Sequence, residues 1–343
     1  MSTAYSAVGW NRQKKIYDGW IAGFCITYLA LFISLTLLFN SEATFETILI
    51  RSTSTLAVLL LHIILSIGPL TRLNKKFMPL LYNRRHLGVT MFCFAAVHGV
   101  FSIIQFHSLS NTNPFLSLFL SNTNYGSIPS FPFQALGFFA LIIFFLMAIT
   151  SHDFWLHNLS PLVWKTLHMF VYAAYILVLM HVMLGVIQYE KNPVFVLILF
   201  TGSASLIILH LLAGIKERKI DKMKFKLKED GFVYVCEADE IEDSRAKIFC
   251  IDQERIAVYR HANKLYAVHN VCKHQGGPLG EGKIVDGCIT CPWHGYQYLP
   301  QNGQSPPPFK EKVSTYDVRV NNNKVWLNPI AYAEGTEREG ASL

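Results

Sequence analysis

A long run without charge is the feature that most constrains this chain. Between Arg85 and Asp153 there is no Asp, Glu, Lys or Arg. An average soluble domain has about 25% charged residues, whereas this chain has 15% charged and 52% hydrophobic residues. No soluble core excludes charge over such a length, so a wholly soluble protein is excluded.

The charges are distributed unevenly over the 343 residues. Residues 1–215 hold 11 Lys/Arg and 5 Asp/Glu, whereas residues 216–343 hold 19 and 18. The basic excess of the first part lies at the ends of apolar segments and not on one soluble face, so we expect no nucleic-acid partner. The seven cysteines show no spacing typical of a disulfide framework.

Six stretches are long and apolar enough to span a bilayer, for which a helix needs about 20 residues. They cover residues 19–39, 52–70, 86–106, 133–150, 167–187 and 194–215. The first lacks a small-residue cleavage site, so we interpret it as a retained helix and not as a signal peptide. The sequence predicts an all-α six-helix membrane bundle over residues 1–215.

The cations beside these stretches predict the orientation of the helices. One side of the membrane receives most of them: Arg12, Lys14, Lys15, Arg72, Lys75, Lys76, Arg84, Arg85, Lys165, Lys216, Arg218 and Lys219. The other side receives only Arg51 and Lys191. We therefore expect a multi-pass protein of a bacterial-type inner or plasma membrane, with both termini and everything after Ile215 in the cytoplasm.

Nine of the thirteen histidines lie in this half, and four of them form two pairs. His86 and His98 are 12 residues apart in the third stretch, and His168 and His181 are 13 apart in the fifth. Both stretches run in the same direction, so the pairs provide facing imidazoles at two levels, about 18–20 Å apart at 1.5 Å per residue. Neutral imidazole is a strong axial ligand of haem iron, and facing helices are a common place for cofactor ligands.

Two considerations count against this interpretation. A single intramembrane histidine is more often a packing residue bonded to a partner than a ligand. Spacings of 12 and 13 do not return to one face of an ideal helix, so an irregularity is required, for which Gly88 and Gly99 are candidates. His107 we expect in loop-like surroundings, in contact with solvent or the membrane interface.

The run at 84–89, Arg-Arg-His-Leu-Gly-Val, followed by His98, Trp164, Leu167, His168 and His181, resembles the ferric reductase–like transmembrane domain of NADPH oxidases and metalloreductases. The resemblance covers about residues 15–215. It implies one or two b-type haems held by His98, His168 and His181. It also implies His86 as a ligand, although some members of the family have another residue after the arginine pair. His62 and His210 are the alternative ligands.

The soluble half is predicted to be a small all-β domain over residues 231–330. Residues 255–259 and 265–268 alternate in polarity around a turn, which is a hairpin signal. The basic stretch 216–230 before this domain is either a plain linker or a surface for anionic lipid head groups. The polar residues 331–343 are expected to form a flexible tail.

The strongest motif has the spacing C-x-H-x₁₆-C-x₂-H and comprises Cys272, His274, Cys291 and His294. Two thiolates and two imidazoles can bind zinc or an iron–sulfur cluster. A zinc site more usually has two or more residues between its first two ligands. One intervening residue instead lets Cys272 and His274 reach different irons from one loop, and Cys291 and His294 do the same from the other loop. The cysteines then hold one iron and the histidines the other. This is the Rieske [2Fe–2S] arrangement.

The segments 272–279, Cys-Lys-His-Gln-Gly-Gly-Pro-Leu, and 291–295, Cys-Pro-Trp-His-Gly, resemble Rieske ferredoxins and the Rieske domains of ring-hydroxylating oxygenases. The quinol–cytochrome c reductase branch has cysteines at the positions of Gly277 and Trp293, and a serine at Tyr296. The resemblance thus implies a missing disulfide and one missing hydroxyl donor to sulfur, which fits a reducing cytoplasm. It also implies a potential near the low end of the Rieske range, about −150 mV.

Together the two halves predict an electron-transfer oxidoreductase with no catalytic residues of its own. Electrons would pass from the cytoplasmic cluster through haem to an external acceptor or a quinone. Because no G-x-G-x-x-G follows a strand, we expect a separate NAD(P)H-dependent reductase or ferredoxin as donor. A Rieske oxygenase, which needs a further mononuclear iron, and a membrane-anchored Rieske redox sensor are the alternatives. The sequence leaves open the acceptor, the number of haems, the direction of electron flow and the oligomeric state.

Overall fold

The computed structural model describes residues 12–81, 83–108, 111–223, 225, 230–293 and 295–343. Over its first part these residues form nine α-helices: α1 (Arg12–Phe39), α2 (Phe45–Leu73), α3 (Arg84–His107), α4 (Pro114–Leu120), α5 (Phe133–Ile149), α6 (Asp153–Asn158), α7 (Pro161–Met169), α8 (Val171–Leu184) and α9 (Pro193–Asp221). Short 3₁₀ helices follow α2 and α8, at Lys75–Leu81 and Val186–Tyr189.

Five helical segments of the described chain are long and apolar enough to cross a membrane. They are Lys14–Phe39, Phe45–Leu73, Arg84–His107, Leu162–Tyr189 and Pro193–Asp221. The 17 residues of α5 make a shorter apolar helix, at the lower limit of the length that spans a bilayer. The prediction of an all-α membrane part is confirmed, with five long segments and one shorter one.

The fifth predicted span contains an interruption. Its first helix, α7, ends at Met169, and α8 begins at Val171 after the single turn residue Phe170. The third predicted span, α3, is one helix from Arg84 to His107. The candidate positions for an irregularity, Gly88 and Gly99, both lie inside this helix. The structure therefore places an irregularity between His168 and His181, whereas His86 and His98 lie in one uninterrupted helix.

The helical unit comprises residues 12–67 and 83–209. Aromatic contacts join its helices: the rings of Phe32 in α1 and Phe195 in α9 lie 6.2 Å apart, and those of Phe92 in α3 and Phe145 in α5 lie 5.9 Å apart. The outward face of α1 carries large exposed side chains, of which Trp20 is 78% exposed. Lipid covers such apolar faces in a membrane protein.

The second compact unit comprises the described residues of 68–82 and 210–343. Its strands are β1 (Val233–Glu237), β2 (Ala246–Ile251), β3 (Glu254–His261), β4 (Lys264–His269), β5 (Lys283–Val285), β6 (Cys288–Thr290), β7 (Gln297–Tyr298), β8 (Thr315–Tyr316), β9 (Val318–Asn321), β10 (Lys324–Leu327) and β11 (Ala341–Ser342). The prediction of a small all-β domain after the helices is confirmed.

Three antiparallel sheets make up this β domain. Their strand orders are β1–β10–β9, β11–β4–β3–β2 with β8 also paired to β4, and β5–β6–β7. The predicted hairpin is β3–β4, in which Val258 pairs with Ala267. Its two turn residues, Ala262 and Asn263, have φ of +50° and +60°, as a two-residue hairpin turn of the favoured hand requires.

The segment predicted as a basic linker, 216–230, begins inside a helix. Helix α9 continues to Asp221, because lysine, arginine and glutamate are good helix formers. Residue 224 and residues 226–229 lie outside the described chain, so the expected lipid contact there stays a prediction.

The prediction of a flexible tail at 331–343 is wrong. Strand β11 pairs with β4, where Ala341 lies opposite Leu265, and Arg338 Nε donates to Asp317 Oδ1 at 2.8 Å. The polar side chains of this segment form ion pairs and hydrogen bonds with the β domain, and a polar composition alone does not distinguish that state from a solvated tail.

Candidate functional site

The first predicted ligand loop connects β4 to a 3₁₀ turn at Leu279–Glu281. The Cys272 N–H donates to the Gly277 carbonyl at 2.8 Å, and the Gly276 N–H donates to the Cys272 carbonyl at 2.7 Å. Gly276 has a φ of +70°, a conformation that glycine adopts without a steric cost. The loop therefore folds back on its own first ligand.

The second predicted ligand loop, between β6 and β7, repeats this hydrogen-bond pattern. The Cys291 N–H donates to the Tyr296 carbonyl at 2.8 Å, and the Gly295 N–H donates to the Cys291 carbonyl at 3.0 Å. Gly295 has a φ of +73°. The two cysteines thus begin two loops of the same local construction.

Gly277 lets the two loops approach each other. A Cβ at this position would lie 2.7 Å from the Cys291 Sγ and 3.2 Å from the Trp293 ring. Both Cys272 and Cys291 are buried. The structure therefore brings these cysteines together, beside His274, whereas His294 lies outside the described residues.

The surroundings of Cys272 favour its thiolate form. Burial raises the pKa of this thiol, but hydrogen bonds with Cys291, Tyr298 and the backbone N–H groups of His274 and Gln275 outweigh burial, and the pKa is lowered. The thiolate is the form of cysteine that binds metal. This donor set, with two thiols and an imidazole on adjacent loops, fits an iron–sulfur cluster.

Tyr298 is a hydroxyl donor that the motif spacing did not reveal. The Lys273 N–H donates to its phenolic oxygen at 3.0 Å, so the Tyr298 hydroxyl donates in turn to the Cys272 Sγ at 3.3 Å. Burial and the nearby Cys272 raise the pKa of Tyr298, so the hydroxyl keeps its proton. The sequence feature that indicates this role is the position of Tyr298 in β7, the short strand that follows the second ligand loop.

Tyr296 has a different role from the serine that stands at this position in the quinol–cytochrome c reductase branch. Its ring stacks on the His274 ring, with centroids 4.7 Å apart and planes 8° apart. Its hydroxyl donates to Glu311, and Phe309 packs against it edge-on at 4.9 Å. In this arrangement Tyr296 orients an imidazole and donates to a carboxylate.

Ion pairs join the β domain to two helix ends within its own unit. Arg255 binds Glu217 at 2.6 Å and Asp221 at 2.7 Å, both in the last turns of α9. Arg72 of α2 lies 3.6 Å from Glu281, in the 3₁₀ turn after the first ligand loop. Burial raises the pKa of Glu281 more than Arg72 lowers it.

His98 of α3 and His181 of α8 face each other in the helical unit. Their ring centroids lie 6.3 Å apart. The Nδ1 of His98 is 3.2 Å from the Ile50 carbonyl, and that of His181 is 2.9 Å from the Phe133 carbonyl. Each Nδ1–H donates to a carbonyl, so each Nε2 carries the lone pair that binds metal.

This ring separation is what one shared metal ion requires. Metal–imidazole bonds of about 2 Å on opposite sides of an ion place two rings about 6 Å apart. Both histidines line a cavity of about 510 Å³ between α2, α3, α5 and α8. A Cβ on Gly137 would lie 2.7 Å from the His181 Nδ1, so glycine makes room for that ring. The site fits a b-type haem held from both faces.

The described residues show no ring contact between His86 and His168. The His86 Nδ1 pairs with Asp18 at 2.9 Å. His168 stacks on Trp164 at 3.8 Å, with its Nδ1 3.0 Å from the Trp164 carbonyl and its Nε2 3.4 Å from the Ser151 Oγ. His86 and Ser151 both line a second cavity, of about 760 Å³.

His62 belongs to a polar network between three helices. Its Nε2 lies 3.0 Å from the Tyr175 hydroxyl, which donates to the Ser203 Oγ at 2.9 Å. A Cβ on Gly202 would lie 2.8 Å from this imidazole. His62 therefore contacts a tyrosine, as a packing histidine does, and His210, the other alternative ligand, lies in α9.

The expectation that His107 contacts solvent or the interface is wrong. His107 is 4% exposed, its Nδ1 lies 3.0 Å from the Ser117 Oγ of α4, and it lines the cavity of His98. The connection between the third and fourth predicted spans contains the short helix α4, whose side chains cover His107. The polar composition of this connection did not reveal the helix.

Two family models match this chain. The model described as the Rieske [2Fe-2S] domain matches residues 231–317. The model described as the ferric reductase like transmembrane component matches residues 52–179. The chain is therefore a membrane redox protein with two domains that occur in oxidoreductases and electron-transfer proteins.

Individual relatives match a part of this chain. The anthranilate 1,2-dioxygenase ferredoxin subunit of Burkholderia cepacia is 32% identical over 91 residues, which are 26% of this chain and 84% of that subunit. The biphenyl dioxygenase ferredoxin subunit of Pseudomonas sp. (strain KKS102) is 27% identical over 100 residues, which are 28% of this chain and 91% of that subunit. Among solved structures, the ferredoxin of carbazole 1,9a-dioxygenase from Nocardioides aromaticivorans IC177 is 25% identical, covering 29% of this chain and 98% of that ferredoxin with a TM-score of 0.28.

Proposed function

Because this chain belongs to the Rieske [2Fe–2S] family and joins that domain to a ferric reductase like transmembrane component, we propose that it is a membrane electron-transfer oxidoreductase. Electrons pass from a cytoplasmic [2Fe–2S] cluster through b-type haem to an acceptor at or beyond the membrane. The observation that carries this proposal is the pair His98 and His181, whose rings face each other in a cavity of the membrane unit.

In this proposal Cys272 and Cys291 hold one iron of the cluster, and His274 and His294 hold the other. When bound, the cluster and the haem supply one-electron carriers. The residues of this chain bind and orient them. The hydroxyl of Tyr298 and the backbone N–H groups of the first loop donate to the Cys272 thiolate, which stabilises added negative charge near sulfur.

His98 and His181 would hold the haem iron through their Nε2 atoms. The carbonyls of Ile50 and Phe133 accept the Nδ1 protons and so fix the orientation of both rings. The largely apolar wall of the cavity excludes water from the haem faces.

We propose a second haem near the cytoplasmic surface, with His86 and His168 as its ligands. Support comes from the 760 Å³ cavity, which His86 lines directly and which Ser151, the partner of the His168 Nε2, also lines. The pair of the His86 Nδ1 with Asp18 leaves the His86 Nε2 as the ligand atom. The His168 Nε2 needs to leave Ser151 before it can bind iron.

The donor in this proposal is a cytoplasmic NAD(P)H-dependent reductase or ferredoxin. The cations beside α1, α2, α3 and α9 support a cytoplasmic position of the β domain in a bacterial-type membrane. The proposed domains are residues 1–215 for the membrane part and 231–330 for the Rieske part, joined by the segment 216–230. The acceptor is a quinone or an external molecule, and lipid surrounds the membrane part.

Metal and haem quantification on the full-length purified chain tests this function. We expect two non-haem irons and one or two b-type haems per chain, with b-type bands in the reduced-minus-oxidised spectrum. A chain that carries the cluster but shows no b-type bands contradicts the proposal and favours a membrane-anchored sensor.

Variants assign the ligands. His98→Ala and His181→Ala should each remove one haem and leave the EPR signal of the cluster intact, whereas Cys272→Ser should remove the cluster and leave the haem. His62→Gln is the matched control, because His62 is a buried histidine of the same unit that contacts a tyrosine. Equal haem loss in His62→Gln and His98→Ala contradicts the assignment.

A further inference from the structure

The cavity that contains His98 and His181 is polar at one end only. Its lining side chains with polar groups other than these two histidines are Thr47, Arg51, Ser54, Ser102, Gln105, His107, Gln134 and Tyr189. They lie on the first turns of α2 and α5, on the last turns of α3 and in the 3₁₀ turn after α8. By the order of the helices along the chain, all of these segments meet at the same end of the helical unit.

The opposite end of the cavity is apolar. The side chains that line it come from the middle of α2, the first half of α3, the middle and second half of α5 and the middle of α8; they are Ala57, Leu61, Met91, Ala95, Ala140, Phe144 and Val178. An occupant of this cavity therefore needs a broad apolar body and polar groups along one edge.

Arg51 is the one formally charged side chain among the described residues that line this cavity. Its Nη2 donates to Glu190, and its Cζ lies 5.2 Å from the centroid of the Phe195 ring. Glu190 is 9% exposed and does not itself line the cavity. These contacts hold the guanidinium at the polar end before any ligand binds.

A guanidinium has five N–H donors, so the ion pair with Glu190 leaves donors for a second anion. Arginine is suited to carboxylates because two of its N–H groups can bind both oxygens of one carboxylate. His107 lies at the same end, and its Nδ1 contact with Ser117 fixes the ring beside the cavity. The polar end is thus built for an anionic group.

We infer that Arg51 binds the propionate carboxylates of the haem that lies between His98 and His181, and thereby fixes one orientation of that haem. This inference rests on the proposed function. A b-type haem has an apolar ring with two propionates along one edge, which matches the distribution of polar side chains in the cavity. The vinyl edge then lies among the apolar residues of the opposite end.

The test measures how fast the full-length holoprotein loses haem to an excess of apomyoglobin. A hydrogen bond with a charged group contributes about 1.5–3 kcal/mol. We therefore expect Arg51→Gln to lose the haem of this cavity about 10- to 100-fold faster than the wild type. Arg51→Lys, which keeps the charge, should fall between the two. Lys191→Gln is the control, because Lys191 is an exposed cation near Glu190 in sequence that does not line the cavity.

Replacing the natural haem with its dimethyl ester sharpens the test. The ester has no free carboxylate, so the chain reconstituted with it should lose it equally fast in the wild type and in Arg51→Gln. Glu190→Gln removes the competing carboxylate and should slow the loss of natural haem. A loss rate unchanged in Arg51→Gln overturns the inference, and so does an equal effect of this variant on haem and on its ester.

The haem content separates this inference from the proposed function. If His98→Ala keeps the full haem content of the wild type, the proposed function fails and the inference fails with it. If His98→Ala loses one haem while Arg51→Gln loses haem at the wild-type rate, only the propionate contact is wrong. Should Arg51→Gln not fold, Arg51→Lys and Glu190→Gln still give opposite expected shifts.

Discussion

The two predicted ligand loops and the cavity of His98 and His181 are built by different means. The two cluster loops span 272–277 and 291–296, and each folds by hydrogen bonds between its own backbone groups. The cavity of His98 and His181 takes its lining from several helices between Thr47 and Tyr189, and each of its two histidines bonds with a carbonyl 48 residues distant in the chain. A site built from local loops is therefore visible as a short motif, whereas a site built from packed helices requires the fold.

Glycine serves both sites for the same reason. Gly277 leaves space for the Cys291 sulfur, and Gly137 leaves space for the His181 ring. One methyl group at either position enters space that a predicted metal ligand occupies, because both added Cβ atoms would lie 2.7 Å from that side chain. Substituting each glycine in turn should therefore disable one site and spare the other.

The largest effect is expected for Gly277→Ala. The added methyl group would lie 2.7 Å from the Cys291 Sγ and displaces this predicted ligand from Cys272, so we expect almost complete loss of the cluster. Iron and sulfide analysis with EPR measures this loss, and the haem content should stay at the wild-type value. Gly214→Ala is the control, because a Cβ there meets nothing within 4 Å; a full cluster content in Gly277→Ala would show that the loops need not approach each other.

Gly137→Ala should have the second-largest effect, on the other site. The methyl group displaces the His181 ring from the Phe133 carbonyl, so we expect most of the haem in that cavity to be lost. The reduced-minus-oxidised spectrum measures this, with an unchanged EPR signal from the cluster. Gly88→Ala in α3, where a Cβ meets nothing within 4 Å, should keep its haem. Equal haem content in these two variants would contradict the ligand role of His181.

A smaller effect is expected at the hydroxyl donor of the cluster loops. Tyr298→Phe removes the hydrogen bond to Cys272. This bond stabilises the reduced state of the cluster, which carries more negative charge than the oxidised state. We expect the midpoint potential to fall by about 60 mV, a tenfold change for a one-electron couple, measured by protein-film voltammetry. Tyr296→Phe, which loses the bond to Glu311 instead, should shift the potential less; the opposite order would assign the sulfur donor to Tyr296.

The smallest effect concerns stability and pH. Burial raises the pKa of Glu281, so the ionised carboxylate destabilises the folded state, and this penalty appears as pH rises through the raised pKa. Glu281→Gln should therefore melt at a higher temperature than the wild type at pH 8, and the difference should shrink toward pH 5. Thermal melts followed by circular dichroism measure both.

Glu240 gives a control of opposite sign for this pH dependence. Its bond to Lys247 lowers the pKa of Glu240, so the stabilisation is present above the ordinary pKa of the carboxyl group and is lost as pH falls. Glu240→Gln should melt slightly below the wild type at pH 8. A Glu281→Gln variant that also melts below the wild type at pH 8 would show that its pair with Arg72 outweighs burial.

The sequence predicted those parts of the molecule that short-range patterns encode. Apolar stretches located the helices, because a helix in lipid satisfies its own backbone hydrogen bonds and needs only an apolar surface. The hairpin β3–β4 followed from alternation around two turn residues. The four predicted cluster ligands followed from their spacing, and the structure places three of them in two loops of matching local structure.

The parts that the sequence did not reveal depend on contacts between distant segments. His107 was expected outside the membrane unit's interior, but α4 covers it. Tyr298 was overlooked because a tyrosine in a strand resembles any core residue until its hydroxyl is seen 3.3 Å from Cys272. His98 and His181 were predicted from the spacing of the histidine pairs and from a family resemblance. The spacing also required an irregular helix, for which Gly88 and Gly99 were the candidates, whereas the structure has a turn at Phe170.

The pairing of β11 with β4 has a practical consequence for handling this protein. Lys264 and Leu265 at the start of β4 hydrogen-bond with β11, and Lys273 of the first ligand loop pairs with Glu334 at 2.6 Å. Shortening the chain to residue 330 would leave part of a sheet edge unpaired, and such edges promote aggregation. Protein expressed for crystallography or cryo-electron microscopy should therefore keep residues 331–343 and carry its purification tag at the amino terminus.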